Sequence, residues 1–292
     1  MANQEEVRDV YGYFEQNGNA LCYRYEAERV RIEPWGENSL RVRAWKTADM
    51  DPADWALLPP EKNTIPEITV RENGATIRNG KICAEINLIG KITFYNEKGD
   101  LLLEEYVRNR KDMFGNTCSS LEVEAREFKP ITGGDYRLSM RFVSTPGEKI
   151  YGMGQYQQPY LDIKGADLEL AHRNSQASVP FMLSSLGYGF LWNNPAVGRV
   201  NFGKNITTWE AYSTKKLDYW ITAGDTPAQI EESYADATGK VPMMPEYAMG
   251  FWQCKLRYQT QEELLEVARE YKRRNLPISV IVVDFFHWPV QG

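Results

Sequence analysis

Near the end of the 292-residue chain, Ile278-Ser279-Val280-Ile281-Val282-Val283-Asp284 is almost continuously apolar and β-branched. Such a run has no polar face, so it predicts a strand covered on both sides, as in a parallel sheet. A parallel neighbour needs a crossover, and the preceding sequence supplies one. Thr260 with Glu263 spaces a capping box, and Leu264, Leu265, Val267, Ala268 and Tyr271 recur on one helical face. Lys272, Arg273 and Arg274 suit the negative end of that helix, and Asn275 with Pro277 ends it. Upstream, the apolar stretch Ala248–Cys254 reads as the first strand. Strand, helix and strand make one βαβ unit, right-handed by the general rule. Asp284 closes its last strand and is followed by Phe285-Phe286-His287-Trp288. In parallel α/β barrels, groups at the C-terminal strand ends face the active site. Asp284 is therefore a ligand-site candidate, with Trp252 and Gln253 at the mouth. The plainer alternative makes Asp284 a loop cap.

The first two-thirds follow a different period. Leu40–Trp45, Ile68–Val70, Ala75–Ile77, Lys81–Leu88, Ile92–Tyr95 and Tyr136–Phe142 are short alternating runs separated by turns such as Glu72-Asn73-Gly74. Closely spaced strands without helices predict antiparallel sheets, most simply a large β-sandwich. Thr226-Pro227 opens a helix with Ile230, Tyr234 and Ala237 on one face, and Gly239 stops it. Val241-Pro242-Met243-Met244-Pro245 is a stiff linker, giving a sandwich domain over 1–240 and a second domain over 241–292. The stretch about 155–178 is dense in polar and aromatic groups and lacks periodicity, the character of a functional loop. Tyr151-Gly152-Met153-Gly154-Gln155 lacks the third glycine and the following helix of a nucleotide loop.

Composition narrows the chemistry. The net charge of −6 is poor material for a phosphate backbone, so nucleic acid is not expected. No run of about 18 apolar residues offers a membrane span. Met1–Phe14 has neither the basic nor the apolar region of a leader, which leads to a cytoplasmic expectation. Cys22, Cys83, Cys118 and Cys254 are scattered, so buried free thiols are expected rather than a metal site or disulfides. Two histidines, His172 and His287, exclude His-rich metal sites, and no metal or cofactor is expected. Forty carboxylates with 12% aromatics suit sugar chemistry, in which acids move protons and flat rings stack on sugar faces.

The ordered motifs carry a resemblance. YGMGQ, the loop through Ala171-His172-Arg173-Asn174, the run VPFMLSSLGYGFLWNNP, the helix TPAQIEESYADATG, MGFWQCK after the Pro-rich linker, and VIVVDFFHW resemble glycoside hydrolase family 31. Asp284 with Phe285-Phe286-His287-Trp288 looks most like the α-xylosidase group. The resemblance implies a mainly β chain, in which an N-terminal antiparallel, mutarotase-like β-sandwich precedes the first βαβ unit of a (β/α)8 barrel. It implies an α-linked oligosaccharide substrate and a retaining α-glycosidase, leaning to α-xylosidase. An α-glucosidase-type relative, a non-catalytic sugar-binding sandwich, and a lyase or mutarotase are the alternatives. By resemblance, a sandwich loop around Arg173 and Asn174 lines the −1 subsite. Asn174 stands where many relatives carry aspartate, which puts that contact in question. Asp284 would hydrogen-bond sugar hydroxyls there, and Trp288 with Phe285 and Phe286 would shape the pocket; Trp252 is a substrate-binding candidate from its place at the mouth. The nucleophile and acid/base of relatives lie on later barrel strands, so no residue here is assigned either role. The chain is read as part of a longer enzyme, inactive alone and self-associating, with the homo-oligomeric state left open.

Overall fold

Alternating side chains put one face of each strand towards a core, and the strands up to Ala223 do this on three sheets. The computed structural model describes residues 12–60, 64–108, 123–284 and 290. Among these, an eight-stranded sheet runs in the order Tyr13–Asn17, Ala20–Tyr25, Glu28–Pro34, Ser39–Trp45, Lys216–Ala223, Tyr188–Trp192, Ala177–Ser184, Ile150–Gln155. A five-stranded sheet runs Arg126–Pro130, Tyr136–Val143, Ile206–Thr214, Gly198–Phe202, Asp167–Leu170. A third, from Glu67–Arg71 to Leu101–Glu104, is a five-stranded meander. The ladders are antiparallel, as the alternation predicts.

The three sheets share one core rather than forming a simple two-layer sandwich. Phe94 of the meander meets Tyr219 of the large sheet edge-on at 6.3 Å, and Phe142 of the second sheet meets Phe190 at 5.4 Å. Burying each such ring contributes about 1.5–3 kcal/mol. Strand Lys216–Ala223 is buried at all eight positions because both its faces are covered. Leu217, Tyr219 and Ile221 enter the shared core. On the other face, Trp220 packs with Leu57, Phe181, Leu191 and Ile230.

Helix Pro227–Thr238 covers that second face. The Thr226 hydroxyl accepts from the Gln229 N–H at 3.3 Å. The Gln229 carboxamide accepts from the N–H of Asp225, one residue before the cap. Ile230 and Ala237 are buried, and Tyr234 stacks on Phe181 with ring centroids 3.9 Å apart. Gly239, at φ +112°, ends the helix.

The chain divides into two units, Met1–Gly239 and Lys240–Gly292. In the second, strands Trp252–Cys254 and Val280–Val282 pair in parallel, joined through helix Gln261–Arg273. Two expectations are corrected here. The strand expected over Ala248–Cys254 shortens to three residues, because Ala248 and Gly250 donate to Pro245 and Tyr247 in a 3₁₀ turn. Those turn bonds use the N–H groups a strand would need. The final strand is half-buried rather than enclosed, since its only paired neighbour among the described residues is Trp252–Cys254. No helix among the described residues is long and apolar enough to cross a membrane.

Candidate functional site

The YGMGQ stretch is a kink in an edge strand. Pairing between Ile150–Gln155 and Ala177–Ser184 slips in register between Gly152 and Gly154. Gly152, Met153 and Gly154 take φ of +99°, +70° and +88°. A Cβ on Gly154 would lie 2.4 Å from the Ala177 carbonyl oxygen, so only glycine fits. The kink turns Met153 fully into the core, at 0% exposure. This β-bulge re-aims the chain at the base of the candidate loop.

The loop is more ordered than its lack of periodicity suggests. Asp162 accepts from the N–H groups of Ile150 (3.1 Å) and Lys164 (3.0 Å). Asp167–Leu170 pairs with Gly198–Phe202, a strand too short for a periodicity test to find. Arg173 and Gln176 then exchange backbone hydrogen bonds, leaving Asn174 and Ser175 at the tip of a hairpin. Ser175 takes the left-handed conformation at φ +63°. Arg173 donates through Nε (2.9 Å) and Nη2 (2.6 Å) to both oxygens of Glu169. Those hydrogen bonds hold the Glu169 carboxyl below its ordinary range. At the hairpin base, the Tyr156 hydroxyl donates to the Glu169 carbonyl at 2.8 Å and meets Ser178 Oγ at the same distance. His172 Nδ1 accepts from the Ser178 N–H. Arg173 and Asn174 are thus exposed on a braced hairpin.

In the second unit, Asp284 follows strand Val280–Val282 by two residues, at its C-terminal end. Cys254, ending the neighbouring strand, directs its Sγ to Asp284 Oδ2 at 4.0 Å. Trp252 is 51% exposed, and its indole N–H donates to the Ala248 carbonyl at 2.9 Å. Gln253 donates to the Tyr258 hydroxyl and accepts from Tyr271, which ties strand to helix. Phe285, Phe286, His287 and Trp288 lie outside the described residues, as does Cys118. The described thiols are free, but only Cys83 is buried; Cys22 is half-buried and Cys254 exposed. The expectation of buried thiols fails at Cys254, which sits on a two-stranded ribbon with little cover. No group of three His, Cys, Asp or Glu suited to a metal occurs among the described residues.

Charged residues beneath the large sheet escaped sequence reasoning. Arg41 is fully buried and donates to Asp218 (2.9 and 2.6 Å) and to Asp54 (3.0 and 2.6 Å). Asn193 donates to Asp218 as well. These groups fasten residues 51–58 to the sheet. The signal available in the sequence, an arginine inside an otherwise apolar strand, does not name its partner 177 residues away.

Residues 29–201 match the Glycosyl hydrolase 31 N-terminal galactose mutarotase-like domain, and residues 241–292 match the Glycosyl hydrolases family 31 TIM-barrel domain. The chain belongs to glycoside hydrolase family 31. An uncharacterized family 31 glucosidase of Pseudescherichia vulneris is 54% identical over 95% of this chain and 54% of its own length. Alpha-xylosidase A of Aspergillus niger is 31% identical over 96% of the chain and 40% of its own length. The crystal structure of a GH31 alpha-xylosidase from a soil metagenome, complexed with xylose, superposes with a TM-score of 0.87 at 58% identity, covering 96% of this chain and 42% of that one. The chain therefore spans about half the length of the curated relatives it matches. The match confirms the mutarotase-like sandwich followed by the start of a (β/α)8 barrel as the fold of this family 31 chain.

Proposed function

We propose that this chain supplies the sandwich and the first strand–helix–strand unit of a retaining α-glycosidase with a preference for α-xylosides. The observation that carries this reading is Asp284, a carboxylate just past the C-terminal end of a parallel strand, where barrel enzymes place substrate-facing groups. The 58% identity to an alpha-xylosidase complexed with xylose supports the glycone. Asp284 would accept hydrogen bonds from sugar hydroxyls and Trp252 would offer a ring face; Arg173 and Asn174, exposed on the sandwich unit, are sugar contacts proposed on the family resemblance. An α-glucosidase is the second reading, favoured by the family 31 glucosidase at 54% identity. A stand-alone sugar-binding sandwich would not need a parallel strand ending in an acid. No residue is assigned as nucleophile or acid/base, which must stand about 5–5.5 Å apart in a retaining enzyme.

The test compares kcat/KM for p-nitrophenyl α-xyloside and α-glucoside in the protein produced at the length of its relatives. A higher value for the xyloside supports the reading. A higher value for the glucoside transfers it to the second reading, and turnover of neither overturns both. The 292-residue chain by itself should hydrolyse neither.

A further inference from the structure

Of the described tryptophans, only Trp55 and Trp252 are more than half exposed. Trp55, at 57%, lies on the sandwich unit and lines a cleft of about 240 Å³. The cleft's other walls are mixed, with Asp51, Asp135, Asn194, Ser213 and Thr214 beside the apolar Pro195 and Ala196. Single exposed apolar residues are ordinary on a protein surface. What sets Trp55 apart is how tightly its neighbours are held. Asp54 accepts from Nη1 and Nη2 of Arg41, and the Ala56 N–H donates to Asn193 Oδ1 at 3.2 Å. Lys216 donates to the carbonyls of Asp51 and Ala53. Leu57 is buried, and the Leu58 N–H donates to Ala237 at 2.8 Å. Arg41, Asp218, Asn193 and Lys216 are all buried. Buried charges of this kind add little net stability compared with apolar packing of the same volume, so stability alone does not account for them. What they do accomplish is to fix a segment from which one indole projects.

The polar groups of the walls are also arranged in advance. Ser213 donates to Asp135 at 2.6 Å, and Asn194 donates to Thr214 at 3.0 Å. A sugar ring presents an apolar C–H face and a rim of hydroxyls, and this cleft offers a flat ring beside carboxylates, an amide and hydroxyls. Holding such groups rigid before binding reduces the ordering cost of association. The volume falls just below the usual range for small-molecule sites, about 300–1,000 Å³, and suits about one sugar ring of a longer saccharide.

We infer that the Trp55 cleft is a saccharide-binding site built by the sandwich unit alone. The ligand class rests on the glycosidase reading above; the geometry of the cleft does not. The test is calorimetric titration of the 292-residue chain with maltotriose and with an α-linked xylosyl-glucose disaccharide. Trp55→Ala should weaken binding about tenfold or more, as loss of a central aromatic anchor does, with the melting temperature unchanged. Trp55→Phe should keep much of the affinity. Asp284→Asn in the same chain should leave this binding intact. Binding that survives Trp55→Ala, or that disappears only in Asp284→Asn, overturns the proposal, as does a wild-type chain that binds neither sugar. A change of oligomeric state in Trp55→Ala without loss of sugar affinity also overturns it, making Trp55 an interface residue. The α-xyloside kinetics of the longer protein are read separately, so either idea can fail without the other.

Discussion

Arg41 and Asp218 lie 177 residues apart in sequence and are joined inside the sandwich by two hydrogen bonds from one guanidinium, Nε to Oδ1 at 2.9 Å and Nη2 to Oδ2 at 2.6 Å. Removing one partner of such a pair leaves the other charged and buried. Asp218→Ala should therefore lower unfolding free energy by about 3–5 kcal/mol. Urea denaturation followed by far-UV circular dichroism measures this. A loss below about 1 kcal/mol, the range of exposed pairs, would show that Asp54 alone compensates Arg41.

Asp54 gives the same network a pH dependence. Burial alone would raise its carboxyl, but the Arg41 guanidinium outweighs that and holds it below the ordinary aspartate range. The folded state thus binds fewer protons than the unfolded one. The contribution is present above about pH 3.9 and is lost as pH falls through the lowered folded value. The gap in melting temperature between the wild type and Asp54→Asn should be widest near neutrality and close below about pH 4. A gap that widens in acid would contradict the ion pair.

The kink at Gly154 is testable by geometry. Gly154→Ala drives a methyl against the Ala177 carbonyl and the Val179 N–H, 2.4 and 2.8 Å away. Gly133, at φ +104°, has nothing within 4 Å of the place a methyl would take, so Gly133→Ala measures the backbone cost alone. That cost is about 1–2 kcal/mol. Gly154→Ala should exceed it by about 2 kcal/mol. Equal losses would mean that the edge strand yields freely.

Much of the fold was legible because it is local. Alternation marked most strands, and Thr226 and Thr260 marked both helix starts. Three sheets round one core were not legible, since period two says which face is buried and not which sheet covers it. The same limit hid Arg41, whose burial depends on Asp218 and Asp54. Trp55 lies in the non-periodic Asp51–Pro60 stretch, where only tertiary anchoring reveals that its neighbours are fixed. Of the candidate site, Asp284 follows its strand as the sequence suggested, while the loop about 155–178 contains the strand Asp167–Leu170 and a hairpin.

The second unit exposes much apolar surface. Met243, Met249, Phe251 and Leu256 are each at least half exposed, and the apolar face of helix Gln261–Arg273 is only half-buried. Patches of this kind bind hydrophobic dyes or other chains. The 292-residue chain should enhance 8-anilinonaphthalene sulfonate fluorescence or self-associate in analytical ultracentrifugation. A dye-silent monomer would refute this.

Asp284→Asn probes the proposed substrate contact in the protein made at its relatives' length. Charge-assisted bonds to sugar hydroxyls are worth about 1.5–3 kcal/mol each. If they tighten in the transition state, kcat/KM should fall at least about a hundredfold, roughly 2.7 kcal/mol. The melting temperature should change little. Near-normal kinetics would make Asp284 a loop cap, and a collapsed melting temperature would make it structural.

Strand Lys216–Ala223 is the seam of the large sheet: among the described residues, the four strands from Tyr13 to Trp45 join the other three only through it. During synthesis, Ser39–Trp45 therefore leaves the ribosome long before its partner exists. At about 5–20 residues per second the wait is roughly ten seconds to half a minute. Throughout that interval the nascent chain carries an unpaired apolar edge, the kind that recruits other strands. Production of this protein should depend on what shields that edge while translation proceeds, and slowing elongation between Trp45 and Lys216 should lower the soluble yield.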